Sequence, residues 1–182
     1  MTQQTDQKRQ YLFKIVVVGD GGVGKSTMIQ RLITGQFVPM KITIGTDLAS
    51  YDMSFKEDIS VKLQIWDFAG ERRFRFFLPN YARGAQGCLL CYDITRYTSF
   101  QNLKEWYDIV KENTKTDTVF ILVGGKADLA SYRRTVEREE AEELQKELDI
   151  PYMIETSSKT GENNKNAFEM LTEAMLKQRD LI

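Results

Sequence analysis

The residues of this chain that could do chemistry begin with a run of glycines that ends in a lysine and a serine. Residues 19–26 read Gly-Asp-Gly-Gly-Val-Gly-Lys-Ser and follow the largely apolar run 13–18. Glycine lets the backbone curl so that successive N–H groups point at one anion, and a helix that follows adds its partial positive charge. In this pattern Lys25 brings a full charge to the outer phosphates, and the hydroxyl of Ser26 can ligate Mg²⁺. The segment therefore predicts binding of a nucleoside di- or triphosphate.

Polar motifs at the ends of later apolar segments narrow the class of nucleotide. Residues 66–71 read Trp-Asp-Phe-Ala-Gly-Glu, in which Asp67 can hold Mg²⁺ through water and Gly70 can bring its N–H to a γ-phosphate. Residues 125–128 read Gly-Lys-Ala-Asp, and residues 155–159 read Glu-Thr-Ser-Ser-Lys. A lysine stem that stacks on a base, a carboxylate that accepts two N–H donors and a loop N–H that faces a carbonyl oxygen together describe a guanine site.

The composition excludes several other kinds of site. The chain of 182 residues contains no histidine, which excludes His-based triads and His-ligated metals, so any metal site must be rich in oxygen. A formal net charge of −1 gives no global attraction to nucleic acid or to anionic membranes. There is no apolar run of the ~20 residues that span a bilayer, and no signal-peptide core. Cys88 and Cys91 fall on opposite faces of a predicted strand, which favours buried thiols over a redox pair. We therefore expect a cytoplasmic protein.

Alternating apolar segments and amphipathic stretches must position these motifs. Strands are predicted at 12–18, 49–55, 61–66, 87–92, 118–123 and 152–154, and helices at 25–34, 100–111, 136–148 and 164–178. The alternation predicts a parallel sheet with helices on both faces. Only residues 56–59 join the second strand to the segment 60–66 that holds the third, which is too short for a parallel crossover and predicts one antiparallel strand at the sheet edge. Residues 1–10 are polar and predicted to be disordered, ahead of one domain at 11–180.

Taken together, the motifs resemble those of the Ras superfamily of small GTPases, and within it the Rab branch. The Rab-like stretches are 43–47 (Thr-Ile-Gly-Thr-Asp), 81–87 (Tyr-Ala-Arg-Gly-Ala-Gln-Gly) and 92–95 (Tyr-Asp-Ile-Thr), and the resemblance covers about 11–177. It implies an α/β fold, the G domain of P-loop NTPases, with a six-stranded and mostly parallel sheet. It also implies a molecular switch of signalling and vesicle trafficking that binds GTP or GDP with Mg²⁺ and hydrolyses GTP to GDP.

The resemblance also implies which residues form the site. Switch I corresponds to about residues 36–45 and switch II to about residues 68–80, the two loops whose order depends on the nucleotide. The residues implied to bind the nucleotide are Gly21, Gly22, Val23, Gly24, Lys25, Ser26, Thr27, Phe37, Thr43, Gly70, Lys126, Asp128, Ser157, Ser158 and Lys159. Those implied in catalysis are Lys25, Thr43, Gly70 and Glu71, and those implied at the metal are Ser26, Thr43 and, through water, Asp67.

Individual roles follow from the same resemblance. Asp128 would select guanine, and the N–H of Ser158 would face the guanine carbonyl. Lys126 and Lys159 would sandwich the ring between their stems. Thr43 would meet Mg²⁺ and the γ-phosphate only in the triphosphate state.

Two substitutions depart from the family pattern within the site. Glu71 stands where the family usually has the glutamine that positions the attacking water, and two unit charges ~4 Å apart repel by roughly 4 kcal/mol at an effective dielectric of ~20. The carboxylate could still act as a base, or Arg72 or Arg73 could hold it away; we expect slow unassisted hydrolysis. Gly125 replaces the asparagine that begins the base motif, so affinity would fall by ~1–2 kcal/mol for one lost hydrogen bond while Asp128 still selects guanine.

Two further departures concern switch I and the end of the chain. The segment between Ser26 and Thr43 is about one residue shorter than is usual in the family, and Lys41 falls where an aromatic ring often covers the phosphates. The sequence ends at Ile182 without a cysteine to prenylate. Either the sequence is a piece of a longer protein or the protein works without that lipid anchor.

Residues 72–78 mix arginines with aromatic residues, a pattern that also occurs on RNA-stacking surfaces. Their place in switch II favours a nucleotide-sensitive protein-binding surface over packing of the second helix and over nucleic acid. Expected partners are effector, exchange-factor and GTPase-activating proteins, with indirect, peripheral contact to membranes and a monomer as the default. A constitutively GTP-loaded scaffold with little hydrolysis is the alternative, whereas a small-molecule kinase would leave the base-reading motifs unexplained.

Overall fold

A single sheet of six strands carries the elements that surround the site. The computed structural model describes residues 8–182, so the disorder predicted for residues 1–7 lies outside the described part of the chain. The strands are β1 (Arg9–Val18), β2 (Thr46–Lys56), β3 (Ile59–Phe68), β4 (Gly87–Asp93), β5 (Val119–Gly125) and β6 (Tyr152–Thr156). The helices are α1 (Lys25–Thr34), α2 (Leu78–Ala82), α3 (Tyr97–Gln101), α4 (Leu103–Asn113), α5 (Ala130–Arg133), α6 (Arg138–Glu147) and α7 (Asn164–Gln178), with 3-10 helices at Arg72–Phe77 and Ala127–Leu129.

The strands are arranged in the order β2-β3-β1-β4-β5-β6. All neighbouring strands run parallel except β2 and β3, which pair antiparallel across the short connection between them. The hairpin places β2 at the edge of the sheet, because β3 uses its other side to pair with β1. The predicted six-stranded sheet with one antiparallel edge strand is thus confirmed.

Several boundaries differ from those that the apolar pattern predicts, and the start of β1 and the predicted helix at 100–111 differ most clearly. β1 begins at Arg9, because Arg9 and Gln10 pair with Ile59 and Ser60 of β3, contrary to the disorder predicted up to residue 10. Backbone pairing with a neighbouring strand does not require apolar side chains, so the polar start of β1 carries no periodic signal. The helix predicted at 100–111 is divided into α3 and α4, which meet at Asn102.

Each face of the sheet carries its own apolar core. Along β1, alternate side chains point to opposite faces, so Ile15 packs with α1 and α7 whereas Val16 packs with α2, α4 and α6. Cys88 and Cys91 divide in the same way and are buried free thiols, as predicted. Burial raises the pKa of the Cys91 thiol to about 12, so this group stays protonated and inert at neutral pH.

The parallel strands end at one edge of the sheet, and each polar motif follows one of these ends. The phosphate loop, residues 19–24, joins β1 to α1, and the two base motifs follow β5 and β6. Loops at the carboxyl ends of a parallel sheet form the crevice in which such folds bind ligands. None of the helices described here is both long and apolar enough to cross a bilayer.

Candidate functional site

A cleft of about 420 Å³ opens at this edge of the sheet. The predicted site residues that line it are Gly21, Gly22, Val23, Gly24, Lys25, Ser26, Thr27, Phe37, Thr43, Gly70, Glu71, Lys126, Asp128, Ser158 and Lys159. The other two lie behind the lining, where Asp67 accepts a hydrogen bond from Ser26 and Ser157 donates one to Asp128. The structure therefore brings all the residues singled out in the sequence to one place.

The phosphate loop curls back over the start of α1. Gly22 and Gly24 have φ values of +75° and +102°, a left-handed backbone that a side chain would strain. Among the described residues, no side chain caps α1, so the N–H groups of its first turn are not taken by a side-chain acceptor. The curled backbone and the helix terminus together give this end of the cleft a positive field.

Lys25 is the buried cation of this loop. Its ammonium donates to the carbonyl oxygens of Gly19 and Asp20 at 2.8 and 2.9 Å. Burial lowers the pKa of Lys25, and the negative charge of Asp67 opposes that shift. Two neutral carbonyls offset only part of the lost hydration of an ammonium, so an anionic ligand is electrostatically favoured here.

Three side-chain oxygen atoms converge beside Lys25. The Oγ of Ser26 donates to Oδ2 of Asp67 and lies 2.5 Å from Oγ1 of Thr43, which supplies the proton of that second contact because Ser26 has only one. Burial raises the pKa of Asp67, and the hydrogen bond from Ser26 opposes the shift. The second carboxylate oxygen, Oδ1, is buried and has no hydrogen-bond partner within residues 8–182.

These oxygen donors fit Mg²⁺ better than they fit other metals. Magnesium keeps several of its waters and takes one or two carboxylates together with phosphate oxygens, so it needs no cage of protein ligands. In the part of the chain that the structure describes, no cluster of three or more histidine, cysteine, aspartate or glutamate residues could hold a metal by itself. The unpartnered Oδ1 of Asp67 and the hydroxyls of Ser26 and Thr43 are the groups available for such an ion.

The base motifs place a carboxylate and two lysines on the lining of the same cleft. Ser157 donates to Oδ1 of Asp128 at 2.6 Å, which fixes the orientation of that carboxylate. Lys126 has a φ of +67°, and its ammonium lies 2.6 Å from Oδ2 of Asp93. Lys159 lines the cleft as well. The arrangement offers an oriented acceptor and two aliphatic stems to a flat ring with N–H donors.

Glu71 reaches the cleft, but its carboxylate is engaged by an arginine. Its Oε2 lies 2.8 Å from Nε of Arg73, whose guanidinium stands 4.8 Å from the ring of Phe74. Of the two arginines that the sequence leaves open, the structure pairs Arg73 with the glutamate. The Glu71 side chain is 35% exposed, so the pair orients the carboxylate more than it stabilises the fold.

Gly125 packs against the phosphate loop through its backbone. A Cβ at this position would lie 3.0 Å from the carbonyl oxygen of Val23 and 3.4 Å from that of Tyr92. An asparagine here would therefore require a small shift of the loop. In this chain the two segments touch without a side-chain hydrogen bond from residue 125.

Switch I crosses the mouth of the cleft without a helix or strand between residues 36 and 45. Phe37 and Lys41 line the cleft, whereas Ile42 and Ile44 are 75% and 76% exposed. The carbonyl of Gly45 accepts the N–H of Ala69 at 2.8 Å, which joins the end of switch I to the start of switch II. Exposed apolar side chains thus stand next to the loops that line the site.

Sequence reasoning missed the residues that support the phosphate loop from outside. Asp20 accepts hydrogen bonds from Arg75 at 3.2 Å, from Trp106 Nε1 at 2.8 Å and from Asn102 at 2.7 Å. Arg75 is 8% exposed and pairs also with Glu105, so it packs switch II against α4 and is not part of the surface predicted for this segment. The sequence feature that could have indicated this support is the charged residue Asp20 within a glycine-rich loop.

Asp93, the last residue of β4, is a second residue whose role the sequence analysis missed. The structure shows that it holds Lys126 from behind the base motif. Nothing in the local pattern signals this contact, because Lys126 directly follows β5, the strand that pairs with β4 in the sheet.

Comparisons with known proteins agree with this geometry. The model of the Ras family matches residues 14–177. The Ras-related protein RABA5e of Arabidopsis thaliana is 41% identical over 172 residues, which cover 94% of this chain and 78% of that protein. The Ras-related protein Rab11B of Nicotiana tabacum is 42% identical over 165 residues, which cover 90% of this chain and 75% of that protein.

Proposed function

The chain belongs to the Rab-like branch of the Ras superfamily of small GTPases, and from this premise we propose that its cleft holds GTP or GDP with Mg²⁺ and turns GTP over slowly on its own. Proteins of this family are GTP-binding switches. The observation that carries the proposal for this chain is the convergence of Lys25, Ser26, Thr43 and Asp67 in a cleft that Asp128 also lines.

The phosphate loop would bind and neutralise the polyphosphate. Enzymes that transfer a phosphoryl group work mainly by positioning it and by stabilising its charge. The ammonium of Lys25 and the N–H groups at the head of α1 would stabilise charge on the outer phosphate oxygens. Ser26, Thr43 and, through water, Asp67 would hold Mg²⁺, and the ion would supply additional positive charge to the polyphosphate.

The base end of the cleft would select guanine through Asp128. An ionised carboxylate is an acceptor only, and the guanine edge offers two N–H donors where adenine does not. The hydrogen bond from Ser157 fixes the acceptor before the base arrives. The stems of Lys126 and Lys159 would cover the ring, because both side chains line the cleft.

Slow turnover would follow from Glu71. A carboxylate has no N–H to donate to a phosphate oxygen or to orient the attacking water as an amide does, and it is repelled by the γ-phosphate. The pair with Arg73 would hold this carboxylate within switch II and limit its approach to the γ-phosphate. The attacking water would therefore lack its usual orienting group, and a partner would be needed for fast hydrolysis.

The two switches would report which nucleotide is bound. Thr43 on switch I and Gly70 on switch II both line the cleft, so loss of the γ-phosphate would remove a ligand from each loop. The exposed apolar residues of switch I would then change their arrangement. We place the binding of effectors, exchange factors and activating proteins on these surfaces, and through them a peripheral role at membranes in vesicle trafficking.

The direct test is nucleotide binding by the purified chain. Mass analysis of the nucleotide that copurifies, followed by titration of fluorescent GDP with and without Mg²⁺ and by competition with ADP, is expected to show Mg²⁺-dependent and guanine-selective binding. Absence of Mg²⁺-dependent affinity for both GDP and GTP would overturn the proposal, and equal competition by ADP would overturn the assignment of guanine.

A second measurement separates the slow enzyme from a constitutively GTP-loaded scaffold, which the engagement of Glu71 by Arg73 also favours. Release of phosphate from the GTP-loaded chain is followed with and without cell extract. Slow release that the extract accelerates supports the slow switch. No release in either condition supports the scaffold.

A further inference from the structure

A buried carboxylate, Asp93, lies behind the base motif and has no role in the proposed binding or hydrolysis of the nucleotide. Asp93 is the last residue of β4 and is 3% exposed. Its Oδ1 accepts the backbone N–H and the hydroxyl of Thr95 at 2.8 and 2.6 Å, and its Oδ2 lies 2.6 Å from the ammonium of Lys126. A buried charge is unfavourable unless it is paired, and Lys126 is the ion-pair partner that the described residues provide.

The backbone around this pair is fixed from two sides. Asp93 and Gly125 are register neighbours in the parallel pairing of β4 with β5, and Ile94 donates its N–H to the carbonyl of Gly125 at 3.2 Å. Lys126 follows at once with a left-handed backbone, a conformation that surrounding contacts must maintain. The ion pair is therefore a contact between two well-placed groups and not a chance approach of a mobile lysine.

Gly125 makes this contact more important in this chain. Without a side chain, residue 125 cannot hydrogen-bond across to the phosphate loop, although its backbone packs against Val23. The side-chain contacts that hold the base-reading groups are the Asp93–Lys126 pair and the hydrogen bond from Ser157 to Asp128. One holds a lysine stem that lines the cleft, and the other holds the acceptor.

We propose that Asp93 is a positioning residue for guanine binding, which pins the ammonium of Lys126 so that its stem already lies along the cleft when the base enters. The inference rests on the proposed guanine site. A lysine loses much rotamer freedom when it is ordered, and a site that orders it in advance does not pay that entropy on binding. Removal of the Asp93 carboxylate is therefore expected to raise the dissociation rate of the nucleotide, because contacts with the base become weaker while contacts with the phosphates are unchanged.

The test is the dissociation rate of fluorescent GDP from the full chain, chased with unlabelled GDP in Mg²⁺. Asp93→Asn is expected to raise the rate about tenfold, which corresponds to about 1.4 kcal/mol. Lys126→Met keeps an aliphatic stem without the ammonium and is expected to raise the rate as well. If Asp93 acts through Lys126, the double variant dissociates GDP no faster than Lys126→Met alone.

Thr95→Val provides the matched control. It removes the hydroxyl that donates to the same carboxylate but leaves the ion pair with Lys126 in place. Its GDP dissociation is expected to stay within about twofold of the wild-type rate, because Oδ2 of Asp93 still faces Lys126 and Oδ1 still accepts the backbone N–H of Thr95.

Three results would overturn the inference. The first is a GDP dissociation rate of Asp93→Asn equal to that of the wild-type chain. The second is a double variant in which the rate increases of Asp93→Asn and Lys126→Met multiply, because Asp93 would then act independently of Lys126 and support only the fold. If Asp93→Asn does not fold, Lys126→Arg is compared with Lys126→Met instead, because arginine can keep an ion pair with Asp93 and methionine cannot. Equal rates of GDP dissociation in these two variants are the third result that would overturn the inference. A wild-type chain that binds no GDP would overturn the proposed function itself, which distinguishes the two failures.

Discussion

Replacement of Glu71 by glutamine is expected to accelerate GTP hydrolysis. In the proposed complex the substitution would remove a negative charge near the γ-phosphate and supply an amide that can both accept and donate a hydrogen bond. The full repulsion of two unit charges at ~4 Å is roughly 4 kcal/mol at an effective dielectric of ~20. In this structure the effect is smaller, because the Glu71 side chain is 35% exposed and paired with Arg73 at 2.8 Å.

Because of this exposure and this ion pair, we expect the repulsion between the Glu71 carboxylate and the γ-phosphate to be about half of the full value, ~2 kcal/mol. Since 1.36 kcal/mol of barrier is tenfold in rate, Glu71→Gln is expected to hydrolyse GTP about 30-fold faster than the wild-type chain. The assay is a single-turnover measurement on protein loaded with GTP and started with Mg²⁺, so that product release does not limit the rate. Equal or slower hydrolysis by Glu71→Gln would refute the electrostatic reasoning.

Arg73→Ala tests the same argument from the other side. Removal of this arginine frees the carboxylate to approach the γ-phosphate, so hydrolysis in the Arg73→Ala variant is expected to fall below the wild-type rate. In the Glu71→Gln background, Arg73→Ala is expected to have little effect on the hydrolysis rate, because glutamine has no charge with which Arg73 could pair. A similar loss of rate in both backgrounds would show that Arg73 acts on something other than Glu71.

Three further predictions concern the metal, the base and the fold. Burial raises the pKa of Asp67, and Mg²⁺ needs the ionised carboxylate. The Mg²⁺-dependent slowing of GDP dissociation is therefore expected to weaken as pH falls and the carboxylate takes up a proton, whereas Asp67→Asn is expected to show little Mg²⁺ effect at any pH. Ser157→Ala removes the hydrogen bond that orients Asp128 and is expected to weaken GDP binding by ~1 kcal/mol, measured by titration, with affinity for inorganic triphosphate unchanged. Arg75→Ala leaves the largely buried carboxylate of Asp20 without its cation, and urea unfolding is expected to show a loss of free energy of unfolding of about 3 kcal/mol, against less than about 1 kcal/mol for Arg73→Ala at an exposed position.

Much of the fold could be predicted because apolar periodicity and short connections constrain it strongly. α1 and α7 have the predicted bounds, since their apolar positions recur at helical spacing up to a clear change in composition. The hairpin of β2 and β3 follows from a connection too short for a crossover. The division at Asn102 could not be predicted, because the apolar spacing continues through it from α3 into α4.

In the candidate site, residues within sequence motifs could be predicted, whereas contacts between residues far apart in the sequence could not. Residues such as Lys25 and Asp128 lie in continuous motifs whose spacing alone suggests their chemistry. The roles of Asp20 and Asp93 could not be predicted in this way, because their partners, Arg75 and Lys126, lie far away in the sequence and meet them only in the fold. The pairing of Glu71 with Arg73 and not with its neighbour also depended on side-chain directions that the sequence does not encode locally.

Trp106 gives this chain a native optical probe. Its indole N–H donates to Asp20 of the phosphate loop, and its ring lies 4.2 Å beneath the guanidinium of Arg75 in switch II. Emission from an indole depends on the charges and hydrogen bonds around it, so the fluorescence of Trp106 changes whenever Arg75 leaves the ring. The only other tryptophan, Trp66, can be replaced by phenylalanine. The intrinsic fluorescence of the chain would then come from Trp106 alone and would report a change in its contact with Arg75 without an added label.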